Sequence, residues 1–167
     1  MIDMGQNRPP VQIRLAVENE ASGIASVLHE SFVEYESSYT HEAFAATAPT
    51  SAQIRSRMNE GPLWVAALAD TIVGTVSALS KGDALYIRGM AVLPVARGQK
   101  IGELLLMQIE SFAFAHGYKR LILSTTPFLT RAIRLYEQFG FRRSSDGPHD
   151  LFGTPLFTMT KRLKPPE

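Results

Sequence analysis

The segment Arg97-Gly98-Gln99-Lys100-Ile101-Gly102 sets two glycines and two cations after a proline-terminated strand and ahead of an apolar helix. A helix start leaves about four backbone N–H groups without partners. Together with the helix dipole they form a site for an anion. Gly98 and Gly102 let a phosphate approach the backbone closely. Arg97 and Lys100 lie at the positive end of the helix, where cations are unfavourable unless a counter-anion is present. A bound di- or polyphosphate removes the conflict. The other reading is a glycine-containing turn with two solvated cations. The segment has neither the Gly-Lys-Ser/Thr ending of a Walker loop nor Rossmann spacing, so those two nucleotide patterns do not apply.

Few other residues announce chemistry. Arg88 falls inside a buried strand and needs a partner, either a substrate carboxylate or, the reading preferred here, another side chain. Glu34, Tyr35, Glu36, Tyr39, His41 and Glu42 crowd one irregular stretch, and the three carboxylates hint at a cationic acceptor. Asp146, His149 and Asp150 fall in a polar loop. His29 and His116 sit late in helices, where their charge suits the negative end. No histidine spacing suggests a metal, and none is assigned. The chain has no cysteine, which excludes disulfides, thiolate zinc sites and a cysteine acyl-enzyme.

The elements that must position these groups follow from periodicity. Gln12 to Val17 alternates as a strand, and Glu18 to Phe32 carries a helical apolar stripe. Glu34 to Pro49 has no clean period and reads as loop or partial helix. Thr50 or Ser51 caps a short helix to Asn59. Leu63 to Ala69, Ile72 to Leu79 and Ala84 to Val92 form successive strands, the last stopped by Pro94. A helix from about Gly98 to His116 follows, with Leu106, Met107 and Phe114 widening its stripe enough to bury two sides. Arg120 to Ser124 is a buried parallel-type strand. Leu129 to Phe139 is a helix closed by Gly140, and Phe141 to Ser144 and Pro155 to Arg162 are final strands. Trp64 belongs to the core or an interface. The fold class is mixed α/β (α+β), with about seven mostly antiparallel strands flanked by about four helices.

The 167 residues favour one domain, over residues 11–164, after a flexible lead-in over residues 1–10. Met1 to Pro10 lacks a signal pattern, and no run of about 18 apolar residues suggests a membrane span. A formal net charge of +1 provides no basic field for nucleic acid. A cytoplasmic protein with neither membrane nor nucleic-acid partner is expected.

Met90-Ala91-Val92-Leu93-Pro94, the Arg97 to Gly102 segment, and Ala132-Ile133-Arg134-Leu135-Tyr136-Glu137-Gln138-Phe139-Gly140-Phe141 together resemble the GCN5-related N-acetyltransferase (GNAT) superfamily. Its signature is Gln/Arg-x-x-Gly-x-Gly/Ala after a strand, with a Leu-Tyr…Gly-Phe helix downstream, and the element order agrees from about Gln12 to Leu163. Two positions depart: Lys100 stands where the family usually has glycine, and Leu129 where it often has a cofactor-contacting asparagine.

The resemblance implies acetyl-CoA bound between a splayed parallel strand pair, here Ala84–Val92 and Arg120–Ser124. The pantetheine arm would pair with Met90, Ala91 and Val92. The pyrophosphate would lie on Arg97, Gly98, Gln99, Lys100, Ile101, Gly102 and Glu103. A backbone N–H of the strand would hold the charge developing on the thioester oxygen. Tyr136 would be the general acid for the departing thiolate; a packed helix tyrosine is its other reading. Transfer to the amine acceptor would be direct, without metal or enzyme nucleophile. The segments bearing Glu34 to Glu42 and Asp146 to Asp150 would border the acceptor site, but no base stands out. A non-catalytic acyl-CoA-binding module, or a transferase for a longer acyl-CoA, are the alternatives. Homodimers are common in the family.

Overall fold

The structure, a computed structural model, describes residues 10–164. The expected lead-in, apart from Pro10, lies outside them. Its elements are β1 (Val11–Leu15), α1 (Ala21–Phe32), α2 (His41–Thr47), α3 (Ser51–Glu60), β2 (Leu63–Leu68), β3 (Thr71–Lys81) and β4 (Ala84–Val92). After these come α4 (Ile101–Ala115), β5 (Arg120–Thr125), α5 (Thr130–Gln138), β6 (Arg142–Arg143), β7 (His149–Leu151) and β8 (Thr154–Arg162). One eight-stranded sheet runs β1-β2-β3-β4-β5-β8-β6, with β7 paired to β8. Among the described residues only β4 and β5 pair in parallel. No helix of the described residues is long and apolar enough to cross a membrane.

The two sheet faces carry separate cores. Leu63 and Val65 of β2 join Ile24 and Leu28 of α1 and Ile54 of α3. Trp64 and Ala66, pointing the other way, join Ile101, Leu105 and Ile109 of α4. Trp64 is thus core, edge-on to Phe112 at 5.3 Å. This alternation is the period-two geometry of a strand.

β4 breaks the alternation where it matters. Thr75 pairs with Ala91 and Ser77 with Arg88, so Gly89 and Met90 together oppose Val76. Gly89 takes φ +64, a left-handed backbone that favours glycine. The extra residue reverses which residues face which core. Leu85 and Ile87 pack with the α4 cluster before the bulge, and Met90 and Val92 after it. Ala91 turns to the α1 side.

Five α-helices and eight strands among the described residues exceed the expected four and seven. α2 follows a 3₁₀ segment, Val33–Ser38, inside the stretch without a period. It buries only Ala43, too little for a visible stripe, and is held by Thr40 Oγ1 accepting the Ala43 N–H. β7 forms from the polar loop; the Asp150 carboxylate accepts the Gly153 N–H at 2.8 Å across its turn. α4 is buried on one side, not two: Met107 and Phe114 are exposed. It also starts at Ile101 rather than Gly98, because Lys100 takes φ 62, outside the helical range.

Candidate active site

The parallel strands part early. β4 and β5 pair only over Ala84–Tyr86 and Arg120–Ile122, leaving the rest of β4 unpaired on that side. Backbone N–H and C=O groups of β4 are therefore open to a ligand. A cavity of about 450 Å³ lies beside this unpaired stretch, between the end of β4, the start of α4 and α5, and Met90, Ala91 and Val92 line it.

At one end the cavity meets the start of α4. Arg97, Gly98, Lys100, Ile101, Gly102 and Glu103 line it; Gln99 does not. α2 and α3 are closed by Thr40 and Thr50 side chains, whereas α4, like α1 and α5, has no side-chain cap. Its first N–H groups remain available to an anion. A Cβ on Gly102 would come within 2.7 Å of Leu135 Cδ2 and 3.3 Å of Met90 Cε, so glycine keeps this wall open. The left-handed backbone at Lys100 explains why glycine suits that position; a side chain there costs roughly 1–2 kcal/mol.

Arg97 is not the unopposed cation expected from sequence. Its guanidinium donates to Glu34 Oε1 at 2.6 Å, tying the loop to the 3₁₀ segment after α1. Lys100 has no acidic partner among the described residues. Arg131 and Arg134 of α5 also line the cavity, and sequence reasoning missed them. Their signal was the i, i+3 spacing that puts both on one face of the helix. Four cations and an uncapped helix start thus line one cavity. This arrangement fits the diphosphate of coenzyme A, and the open β4 edge fits its amide arm.

Tyr136 lies where this cavity joins a second of about 280 Å³; with Phe32, Met90 and Leu129 it lines both. Gly140 (φ +105) lets the chain turn back after α5 so that Phe141 N–H reaches Tyr136 O at 2.9 Å. The Phe141 ring then meets the Tyr136 ring edge-on at 5.9 Å. Tyr136 is 8% exposed, and its hydroxyl has no hydrogen-bond partner among the described residues. Burial first, and the neighbouring Tyr39 second, push its pKa up to about 12. Leu129 lines both cavities without a polar group to offer.

The other candidates are dispersed. Tyr35 lines the first cavity and Tyr39 the second. Glu36, His41, Glu42, Asp146, His149 and Asp150 are exposed and line neither. With Glu34 held by Arg97, the carboxylate hint of a cationic acceptor fails. Arg88 pairs with Glu60 at 2.7 Å, the side-chain partner anticipated for it.

The pattern of the acetyltransferase (GNAT) family matches residues 24–141. N-acetylaspartate synthetase of Danio rerio is 38% identical over 82 residues, covering 48% of this chain and 29% of that protein. The mouse "probable N-acetyltransferase family 8 member 5" is 34% identical over 97 residues, covering 54% and 43%. The matches thus span well under half of these relatives. In fold, the chain superposes on PaiA N-acetyltransferase of Thermoplasma acidophilum in complex with coenzyme A. The TM-score is 0.78 at 16% identity, over 92% of this chain and 99% of that one. A GCN5-related N-acetyltransferase of Rhodopseudomonas palustris gives 0.76 at 22% identity, over 93% and 98%. With the family pattern spanning the splayed strands, the α4 cradle and Tyr136, the chain belongs to the GNAT acetyltransferase family.

Proposed function

We propose that this chain moves the acetyl group of acetyl-CoA directly to an amine acceptor, with no covalent enzyme intermediate. The observation that carries this reading is one cavity, beside the stretch of β4 that β5 leaves unpaired, which joins an uncapped, cation-rich helix start to a buried tyrosine. Acetyl-CoA supplies a thioester carbonyl already activated toward amines. Arg97, Lys100, Arg131 and Arg134 hold its phosphates, with the first N–H groups of α4. The free edge of β4 at Met90, Ala91 and Val92 aligns the amide arm. A β4 N–H donates to the thioester oxygen as charge grows there. Tyr136 donates to the sulfur as the C–S bond breaks.

Among the described residues Glu103, in the first turn of α4, is the one Asp, Glu or His that lines the first cavity, and none lines the second. The acceptor amine enters neutral; the proton its nitrogen sheds after attack passes to water, and water returns to Tyr136 the proton given to the sulfur. kcat/KM therefore rises with pH until the amine is deprotonated. Tyr136 keeps its proton up to about pH 12, so it imposes no alkaline decline below about pH 11. A decline between pH 8 and 10 in enzyme shown to be folded would contradict this assignment. The same raised pKa affects stability with a defined sign. Its contribution is constant below about pH 10, where the unfolded phenol keeps its proton, and is lost as pH climbs toward 12.

Acetyl-CoA at 100 times its Kd should raise the melting temperature by about 5–10 °C. CoA release across a panel of primary amines then measures turnover. No thermal shift and no release with any amine would overturn the proposal.

A further inference from the structure

The second cavity carries a charge arrangement that acetyl transfer does not use. Arg57 of α3 and Arg88 of β4 both line it. Arg57 is half-buried, and its one hydrogen bond is long, 3.3 Å to Ala46 O. Its guanidinium has five N–H donors to satisfy. Arg88 donates through one terminal nitrogen to Glu60, itself half-exposed, while its Nε is buried without an acceptor among the described residues. Burial, then the charge of Arg88, lowers the pKa of Arg57, and Glu60 offsets this only in part. Two guanidiniums against one carboxylate leave one positive charge in excess, and no acidic side chain lines the cavity. A partly desolvated excess charge is costly until an anion joins it.

We propose that this cavity binds the acceptor, and that Arg57 and Arg88 recognise a carboxylate on it. The acceptor class is then an amine that also carries a carboxylate, such as an amino acid. One carboxylate cancels the excess charge, and its planar oxygens match the guanidinium fork. Ser124 and Thr125 of β5 also line the cavity and add hydroxyls, and Leu151 and Leu156 add apolar surface. Because Tyr136 and Met90 line both cavities, an amine held by its acid group lies beside the thioester position. The proposal rests on the acetyltransfer reading above for its kinetic arm only.

Two measurements test it. In the first, protein saturated with CoA is heated with succinate, which has carboxylates but no amine, and separately with inorganic phosphate. Succinate should raise the melting temperature and phosphate should not. Arg88→Gln should abolish the succinate shift and keep the CoA shift, which also shows that the variant folds. Arg57→Lys, which keeps the charge and loses the fork, should reduce it. In the second, aspartate and β-alanine are compared as acceptors with their amides and with alkylamines of equal length. Acid forms should exceed amides in kcat/KM by about 10- to 100-fold. Arg88→Gln should raise KM for the acids at least about tenfold, leaving kcat and the amides' KM within about threefold. Glu60→Gln, which frees Arg88, should lower KM for the acids. Comparing aspartate with a tripeptide that begins with it separates a free acid from a protein terminus.

Equal use of acids and amides, or a phosphate shift without a succinate shift, would overturn the carboxylate site and leave acetyl transfer standing. If no amine releases CoA, the acetyltransfer reading fails, and loss of the succinate shift in Arg88→Gln still decides the carboxylate site.

Discussion

Replacing Tyr136 by phenylalanine lowers kcat by about 100-fold or more, while KM for acetyl-CoA moves by less than about threefold. The split follows from where the hydroxyl lies. The ring of Tyr136 packs on Phe141 and belongs to the α4-side core, and phenylalanine keeps both contacts. The hydroxyl has no hydrogen-bond partner among the described residues, so its loss removes no protein contact and the melting temperature should hold or rise. What disappears is a donor at the junction of the two cavities. A phenol raised to about 12 is a poor acid for a solvated thiolate, since a model thiol has a pKa of about 8.5. Each unit of that mismatch costs roughly 1.4 kcal/mol. The mismatch narrows inside the cavity, because burial also raises the proton affinity of the sulfur. In the proposed reaction Tyr136 would therefore act first as a hydrogen bond to growing negative charge and pass its proton late. Stopped-flow or steady-state CoA release with Tyr136→Phe measures the effect; turnover near that of the unmodified protein would remove Tyr136 from the chemistry.

Much of this site was legible because it rests on local punctuation. Pro94 ends β4 where expected, and Gly140 ends α5 in the left-handed turn that brings Phe141 under Tyr136. The order of strands and helices is likewise local information. The missing pieces depend on the assembled sheet. Gly89 reads in sequence as a glycine in a strand, and only its partner strand shows that the bulge there puts Met90 on the face opposite Arg88. Arg131 and Arg134 have the look of a solvated helix face until α5 is packed beside the α4 cradle. The Glu34–Arg97 pair joins distant parts of the chain and has no local signature. Arg57 sits in a short polar helix with no local sign of a site, yet α3 brings it to the cavity that Arg88 also lines.

Reversing charge at the cradle, with Arg97→Glu and Lys100→Glu together, weakens CoA binding by about 100-fold at low ionic strength. A charge-assisted hydrogen bond contributes roughly 1.5–3 kcal/mol when well formed, and less where solvent competes, as at this partly exposed mouth. Losing two such contacts and gaining two repulsions gives a conservative sum near that size. The effect should shrink as salt rises, because screening shortens to about 3 Å at 1 M. Two single changes separate charge from backbone. Lys100→Gly removes a cation but relieves the left-handed strain at φ 62, so affinity falls while the melting temperature holds or rises. Glu34→Gln frees Arg97 from its 2.6 Å partner, and half-exposed pairs of this kind hold no more than about 1 kcal/mol. Affinity for CoA should then rise by up to about fivefold, since the phosphate no longer competes with a carboxylate for the same guanidinium. Titration calorimetry reads all three. An unchanged affinity in the double reversal would leave the backbone N–H groups at the start of α4 as the sole anchor for the phosphates. A tighter complex in Glu34→Gln would show instead that the pair is a contact the ligand must open.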